Sequence, residues 1–295
     1  MNFNIFEDKY FSQDGRGFHS VVRILGAARH RLKTTLNCAC EDKRGYRTVV
    51  EVDVRQNKEH WNLPYSSYYF NCIMRGNFRP VKVALMQEGK LNSETSWVEV
   101  QHPPEQKAKE ADSKMALCVK PLYGGYDRAL WLVEFINMYQ ILGVTNFIFY
   151  NHSVGPSVDQ LLHHYQVHGN DTGIDVKVLR WNLPVESQMR IRTEAQFTAL
   201  NDCNFRFINK VKYAAMVDLD EFLIPNLHNN LTSLLDELNK PNVASFSFQN
   251  TFFYLYWSNN TAVEDMEVKV PGYLVTMYKG LFTFYIILKL TYMVL

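Results

Sequence analysis

The chain has 295 residues, a formal net charge of +1, 47% hydrophobic residues and 21% charged ones. That is the composition of a folded globular chain, long enough for one large domain or two ordinary ones. It excludes the basic excess of a nucleic-acid binder, and the chain carries no long acidic tail, internal repeat or low-complexity tract.

In chain order, Met1 to Gly17 is polar and aromatic, without the basic and apolar regions of a signal peptide. Residues 1–101 read as a β-rich domain. The runs Ser20–Leu25, Arg47–Val54, Tyr68–Met74 and Val81–Met86 are β-branched or aromatic and are bounded by charge and turn residues, which predicts four strands. The block His60-Trp-Asn-Leu-Pro-Tyr65 predicts a structured aromatic turn packed into the core. Residues 102–114, charged and proline-containing, read as a linker.

From Met115 the pattern changes. Ala116–Tyr123 is an apolar strand-like run that ends in Gly124-Gly125. Asp127 is placed to N-cap a helix through Leu142, with Gly143 closing it. Val144–Tyr150 predicts the next strand, Pro156 opens a second helix ended by Gly169, and Ile174–Trp181 predicts a third strand. Arg190–Ile208 predicts a continuous helix, and Tyr213–Val217 is a short run, apolar on both faces, suited to a central buried strand. This β-α-β-α-β-α-β order predicts an α/β domain over 115–278, a mostly parallel sheet with helices on both faces.

The Tyr213–Val217 strand runs into Asp218-Leu-Asp-Glu221. Alternation along an extended chain would put the Asp218 and Asp220 carboxylates on one side. Two close carboxylates need a cation, a shared proton or a basic partner. A hard ion such as Mg²⁺ or Mn²⁺, completed by phosphate oxygens, suits them. Ligands of open α/β sheets bind beyond the carboxyl ends of the strands, where this pair lies. The bland alternative is a solvated acidic turn.

Other residues carry weaker signals. His164 and His168 are four apart on the second helix and read as a solvated face. Asp202, on a small-residue helix face with Ala195, Ala199 and Cys203, could hold a loop or point into the crevice. Arg190 and Arg192 could approach a diphosphate. Four sequons, at Asn151, Asn170, Asn230 and Asn259, do not decide the compartment. Five cysteines leave at least one unpaired within the chain. The apolar residues 279–295 are too short to span a bilayer and carry Lys289 in their middle, so they are expected neither to insert nor to pack well.

Together, Cys118-Val-Lys-Pro-Leu-Tyr123, Trp131–Tyr139 with Leu142-Gly-Val144, Phe147-Ile-Phe-Tyr150, Gln196, Asn201-Asp-Cys203 and Asp218-Leu-Asp-Glu-Phe222 through Pro225 resemble glycosyltransferase family 92. The resemblance covers residues 18 to about 258, and the N-terminal block Glu59–Tyr65 shares in it. It implies a GT-A fold, a UDP-sugar donor (UDP-galactose for characterised members), Mn²⁺ or Mg²⁺, a glycan or glycoprotein acceptor and inversion at the anomeric carbon. It places members on the luminal side of the Golgi membrane, held by an N-terminal anchor that this sequence does not show. By position, Asp218 and Asp220 would bind the metal. Pro121, Leu122, Tyr123, Asp202 and Asp220 would line the donor site. The continuation beyond Tyr278 does not match, so the C-terminal part is expected to be incomplete. Glu264 and Asp265 are then the candidates for a catalytic base. A luminal chain favours a Cys40–Cys72 disulfide, with Cys118 and Cys203 as a second possible pair. Two rival readings are a truncated nucleotide-sugar binder without transfer, and a HAD-type phosphotransferase with Asp218 as nucleophile.

Overall fold

The computed structural model describes residues 4–11, 18–74, 76, 78–87, 96–104, 114–185, 188–241, 243–248 and 290–291. The chain divides into two compact units: Met1–Lys107 with Arg180–Asn209, and Ala108–Leu179 with Lys210–Val294. The segment Arg180–Asn209, read from sequence as part of the α/β run, therefore groups with the β-rich residues.

In the first unit seven strands close a barrel: β1 (Asn4–Phe11), β2 (Phe18–Arg29), β3 (Leu36–Asp42), β4 (Arg47–Gln56), β5 (Tyr65–Ile73), β6 (Pro80–Gln87) and β7 (Val98–Gln101), in the order β1-β2-β5-β4-β3-β6-β7. Neighbours are antiparallel except at the closure, where β1 and β7 run parallel with Ile5 level with Val100. The predicted runs lie within β2, β4 and β6 and, but for its last residue, within β5. Alternation turns Val22 and Ile24, Cys38 and Cys40, and Tyr68, Phe70 and Cys72 into one buried core with Met74, Val83 and Val100. Strand β3 escaped the sequence reading because its inward residues are Cys and its neighbour Ala, neither β-branched nor aromatic.

The disulfide joins Cys38, not Cys40, to Cys72, with Cα atoms 5.9 Å apart. Register explains the correction. On the intervening strand β4, Cys72 is level with Val52, Cys38 with Val50 and Cys40 with Thr48. Cys38 is thus one inward step nearer. Cys40 keeps a free, buried thiol, which burial pushes up to about 12. Cys118 and Cys203 are both disulfide-bonded.

The predicted Arg190–Ile208 helix is broken. The α-helix of this stretch (α3) is Gln196–Phe207, preceded by a 3₁₀ turn over Arg192–Ala195. Thr193, Glu194 and Ala195 all sit in left-handed backbone, at φ of 43°, 50° and 56°. Each such residue costs on the order of 1 kcal/mol and persists only where its surroundings fix it. Here the Trp181 indole N–H donates to the Glu194 carbonyl at 2.7 Å, Thr198 donates to Ser67 Oγ at 2.9 Å, and the Tyr65 N–H donates to the Arg190 carbonyl at 2.8 Å. The aromatic turn also differs from expectation: Trp61 is 67% exposed rather than packed in the core.

The second unit holds the other sheet. Its elements are β8 (Met115–Val119), α1 (Ala129–Ile141), β9 (Asn146–Asn151), α2 (Pro156–His168), β10 (Asp175–Arg180), β11 (Tyr213–Val217) and α4 (Leu231–Leu238). The order is β10-β9-β8-β11, and β8 pairs in parallel with both β9 and β11. The chain as a whole therefore mixes parallel and antiparallel strands. Every residue of β8 is buried, as a strand covered on both faces requires. Leu132, Phe135, Ile136 and Tyr139 of α1 and Val158 and Leu162 of α2 join its core.

One cap differs from its sequence reading. Asp127 does not cap α1; its Oδ1 accepts the Val158 N–H of α2 at 2.9 Å. Gly155 must be glycine to permit this, since an added Cβ would lie 2.3 Å from the Asp127 side chain. Asn230, one of the sequon asparagines, caps α4 by accepting the Ser233 N–H at 2.8 Å. A short pairing of β12 (Ser245–Phe246) with β13 (Leu290–Thr291) completes the described chain. Phe284, Leu288 and Lys289 of the apolar end lie outside the described residues. Among those described, no helix is long and apolar enough to cross a membrane.

Candidate functional site

The site is built by strand register. In the parallel β8–β11 ladder Val119 is level with Val217, so the residues that leave the two strands, Lys120 and Asp218, emerge side by side. The Lys120 ammonium donates to Asp218 Oδ2 in a partly exposed ion pair. Burial pulls this lysine's pKa down, but the hydrogen bond to Asp218, helped by the charges of Asp218, Asp220 and Tyr123, outweighs it and holds the pKa above the ordinary value.

Asp218 and Asp220 are not related by strand alternation, as the sequence suggested. The chain turns at once after Val217: the Glu221 N–H donates to the Asp218 carbonyl at 3.1 Å, and Glu221 Oε2 accepts the Asp218 N–H at 2.9 Å. Carboxylate-to-amide bonds of this kind compete with an extended backbone at acidic residues. Burial first, then the charges of Asp218 and Asp220, raise the Glu221 pKa, against the Asp218 N–H and Lys120, which lower it.

Helix α1 holds the turn in place. The buried Tyr139 hydroxyl donates to the Glu221 carbonyl at 3.0 Å and accepts the Leu223 N–H at 3.2 Å. Phe222 stacks on Tyr139, with ring centroids 6.0 Å apart, and meets Phe135 edge-on. A stripe that looks like ordinary core thus fixes the acidic loop.

The loop after β8 is laced to the end of β9. The Leu122 N–H donates to the Tyr150 carbonyl at 2.8 Å, and the Leu122 carbonyl accepts from the His152 and Ser153 N–H groups, both at 3.0 Å. This anchors Pro121–Tyr123. Gly124 and Gly125 follow at φ of 68° and 66°, and nothing lies within 4 Å of where a Cβ would stand on either. Left-handed backbone in succession favours glycine, and the open space leaves room for a ligand against the main chain. Beyond them, the Tyr126 hydroxyl is buried and has no hydrogen-bond partner among the described residues. Burial pushes its pKa up to about 12, opposed by Arg128 and aided by the charge of Asp220. A buried hydroxyl without a partner is costly and calls for one.

Pro121, Leu122, Tyr123, Asp218 and Asp220 are therefore all in the second unit. Asp202 is in the first, fully buried on α3, where its Oδ2 accepts from Arg206 Nε at 2.8 Å. Arg192 is occupied too, paired to Glu59 at 2.7 Å with its guanidinium 3.9 Å from the Trp61 ring centre. His164 and His168 face solvent on α2, with ring centres 4.9 Å apart. Glu264 and Asp265 lie outside the described residues. Sequence reasoning missed Lys120, Glu221 as a brace, Tyr126 and Tyr139. Only the parallel register, which a sequence pattern does not print, pairs Lys120 with an aspartate 98 residues away.

Among the described residues no cluster of three or more His, Cys, Asp or Glu side chains could hold a metal. Two carboxylates remain a sufficient protein contribution for a hard divalent ion whose other ligands are diphosphate oxygens and water. Carboxylate oxygens are hard donors, of the kind that suit such an ion and not a softer one.

A family model described as glycosyltransferase family 92 matches residues 113–279. A curated relative, beta-1,4-galactosyltransferase galt-1 of Caenorhabditis elegans, is 26% identical over 197 residues, covering 64% of this chain and 44% of that protein. The chain thus spans less than half the length of this relative. Two solved structures align weakly. A pullulanase from Anoxybacillus sp. LM18-11 complexed with maltotriose has a TM-score of 0.23 at 15% identity, over 38% of this chain and 13% of that one. A ferredoxin-NADP+ reductase from Plasmodium falciparum has a TM-score of 0.22 at 8% identity, over 72% and 84%. At such scores neither bears on the fold.

Proposed function

The chain belongs to glycosyltransferase family 92, and from that premise we propose that it transfers a hexose, galactose first among candidates, from a UDP-sugar to a glycan acceptor, with inversion and with Mn²⁺ or Mg²⁺ bound. The observation that carries this is the acidic turn at the carboxyl end of β11, facing Lys120 beside the open Gly124-Gly125 backbone. We read the sheet, with its parallel β8–β9 and β8–β11 ladders, as GT-A-like. The phosphotransferase reading of Asp218 falls with family membership.

In this reading Asp218 and Asp220 hold the metal, which when bound would stabilise charge on the departing diphosphate. Glu221 keeps Asp218 in place through its backbone N–H, and Tyr139 keeps the turn against α1. Lys120 supplies a second positive charge to the leaving group. The Gly124-Gly125 backbone, with open space beside it, meets the nucleotide. Inversion needs a carboxylate to take the acceptor's proton on the opposite face. Glu264 and Asp265 are the proposed sources; Asp202, buried on α3 in the first unit and paired to Arg206, is not assigned to the donor site. Disulfides at Cys38–Cys72 and at Cys118 and Cys203 support an oxidising compartment, in keeping with a luminal Golgi site.

The test is donor depletion with a panel of UDP-sugars and glycan acceptors, with Mn²⁺ or with chelator. Metal-dependent loss of one donor, abolished in Asp220→Asn, is expected. Donor and metal binding without turnover would make this chain a binder. Turnover that is indifferent to both metal and Asp220 would overturn the assignment of the acidic pair.

A further inference from the structure

Lys120 sits where the acidic pair most needs a cation. Register fixes its Cα beside Asp218, the Leu122 hydrogen bonds fix the chain two residues later, and its flexible four-carbon stem leaves the ammonium free to pivot. Asp218, meanwhile, is held through its backbone by Glu221. The Asp218 backbone therefore stays where it is whether or not the ammonium is on its carboxylate. A divalent ion bound by Asp218 and Asp220 would share one carboxylate with a like-charged group, and the ammonium would be repelled toward whatever anion is nearest.

Resting on the reading of Asp218 and Asp220 as metal ligands, we propose that Lys120 is a resident counter-ion, displaced from Asp218 when the metal binds and transferred to the donor's diphosphate. In the empty site Lys120 offsets one of the pair's two negative charges. In the loaded site it leaves Asp218 and binds phosphate oxygens, within reach of the open Gly124-Gly125 backbone. Metal and nucleotide then bind cooperatively. Each makes the other's place available, and by linkage the enhancement is the same in both directions. A lysine that merely props up the turn would leave only the coupling that comes from diphosphate oxygens on the metal.

The experiment measures Mn²⁺ affinity of the full chain by electron paramagnetic resonance, with and without UDP, for the wild type, Lys120→Gln and Lys120→Arg. UDP should tighten Mn²⁺ binding to the wild type tenfold or more. Lys120→Gln should bind Mn²⁺ alone about tenfold more tightly than the wild type, because its competitor is gone, and UDP should then tighten binding about tenfold less than it does in the wild type. Lys120→Arg, which keeps the charge and guards against a variant that fails to fold, should retain weak binding of Mn²⁺ alone and strong coupling. Unchanged or weaker Mn²⁺ affinity in folded Lys120→Gln, or undiminished UDP coupling there, overturns the role of Lys120 and leaves the metal site standing. Absence of Mn²⁺ binding to the wild type, with UDP or without, overturns both.

Discussion

The two units solve the problem of a sheet's ends in opposite ways. The barrel joins its first strand to its last, so that no strand is left at an edge, and a disulfide crosses its core. The sheet of the second unit is open, and two neighbouring strands end in charge: Lys120 after β8 and Asp218 after β11, the edge strand of the described sheet. Closure satisfies the backbone and stabilises. An open parallel sheet presents the ends of its strands together, and there a ligand site can be assembled from residues distant in sequence. In this molecule, then, the closed ladder leaves no strand at an edge, and the open one brings Lys120 and Asp218 together at its strand ends.

The sharpest way to break that division is to cut the barrel's cross-link. Replacing both Cys38 and Cys72 by Ala frees a loop with a sequence separation of 34, which should lower stability by about 3–4 kcal/mol in denaturant unfolding. Mn²⁺ affinity at moderate temperature should change less than about twofold, well under 1 kcal/mol. A matching fall in metal affinity would show that the barrel shapes the site after all. In the other unit, Tyr139→Phe removes a hydroxyl that serves Glu221 and Leu223 at once. It should cost about 2 kcal/mol, since two buried backbone groups lose their partner, and it should loosen Mn²⁺ binding as well. If stability falls while metal affinity holds, α1 does not position the turn.

Asp220→Asn separates the two properties further. Metal-dependent donor binding should weaken at least tenfold, about 1.4 kcal/mol. The melting temperature of the metal-free protein should hold or rise, because the change relieves carboxylate repulsion. Lost stability with unchanged donor affinity would make the pair structural. The smallest effect expected is one of pH. Cys40 keeps its proton up to about 12 in the fold, whereas an unfolded thiol releases it near 8.5. The folded chain then binds more protons, so stability is complete below that value and falls as pH rises above it. Between pH 8.5 and 9.5 the loss should be about 1 kcal/mol, and Cys40→Ala should remove that part of the slope.

Much of this was legible in the sequence, and the limits have physical causes. Strands rich in Val, Ile, Phe and Tyr declared themselves, as did helices α1 and α2 through their apolar stripes and flanking glycines. The Asp218–Glu221 block pointed to the site because it follows a short, wholly apolar run. What did not show was anything set by register or by a local hydrogen bond. The choice of Cys38 over Cys40 depends on which residue of β4 lies between, and periodicity gives both cysteines the same face. The left-handed break at Thr193–Ala195 is imposed by Trp181 and its neighbours against a helix-favouring sequence. Asp127 caps the second helix rather than the first because Gly155 lets its side chain in.

The parallel join of β1 to β7 has a consequence in time. Ile5 meets Val100 only when both have been made, and at typical rates of synthesis Val100 follows roughly 5–20 seconds later. Cys38 and Cys72 are both available before then, while the nascent sheet still has two free edges. So is Cys40, whose thiol at that stage has its ordinary acidity and competes for the same partner. A disulfide made in that interval chooses its sulfur while the sheet is still open, and the closing of the barrel then seals the other thiol inside.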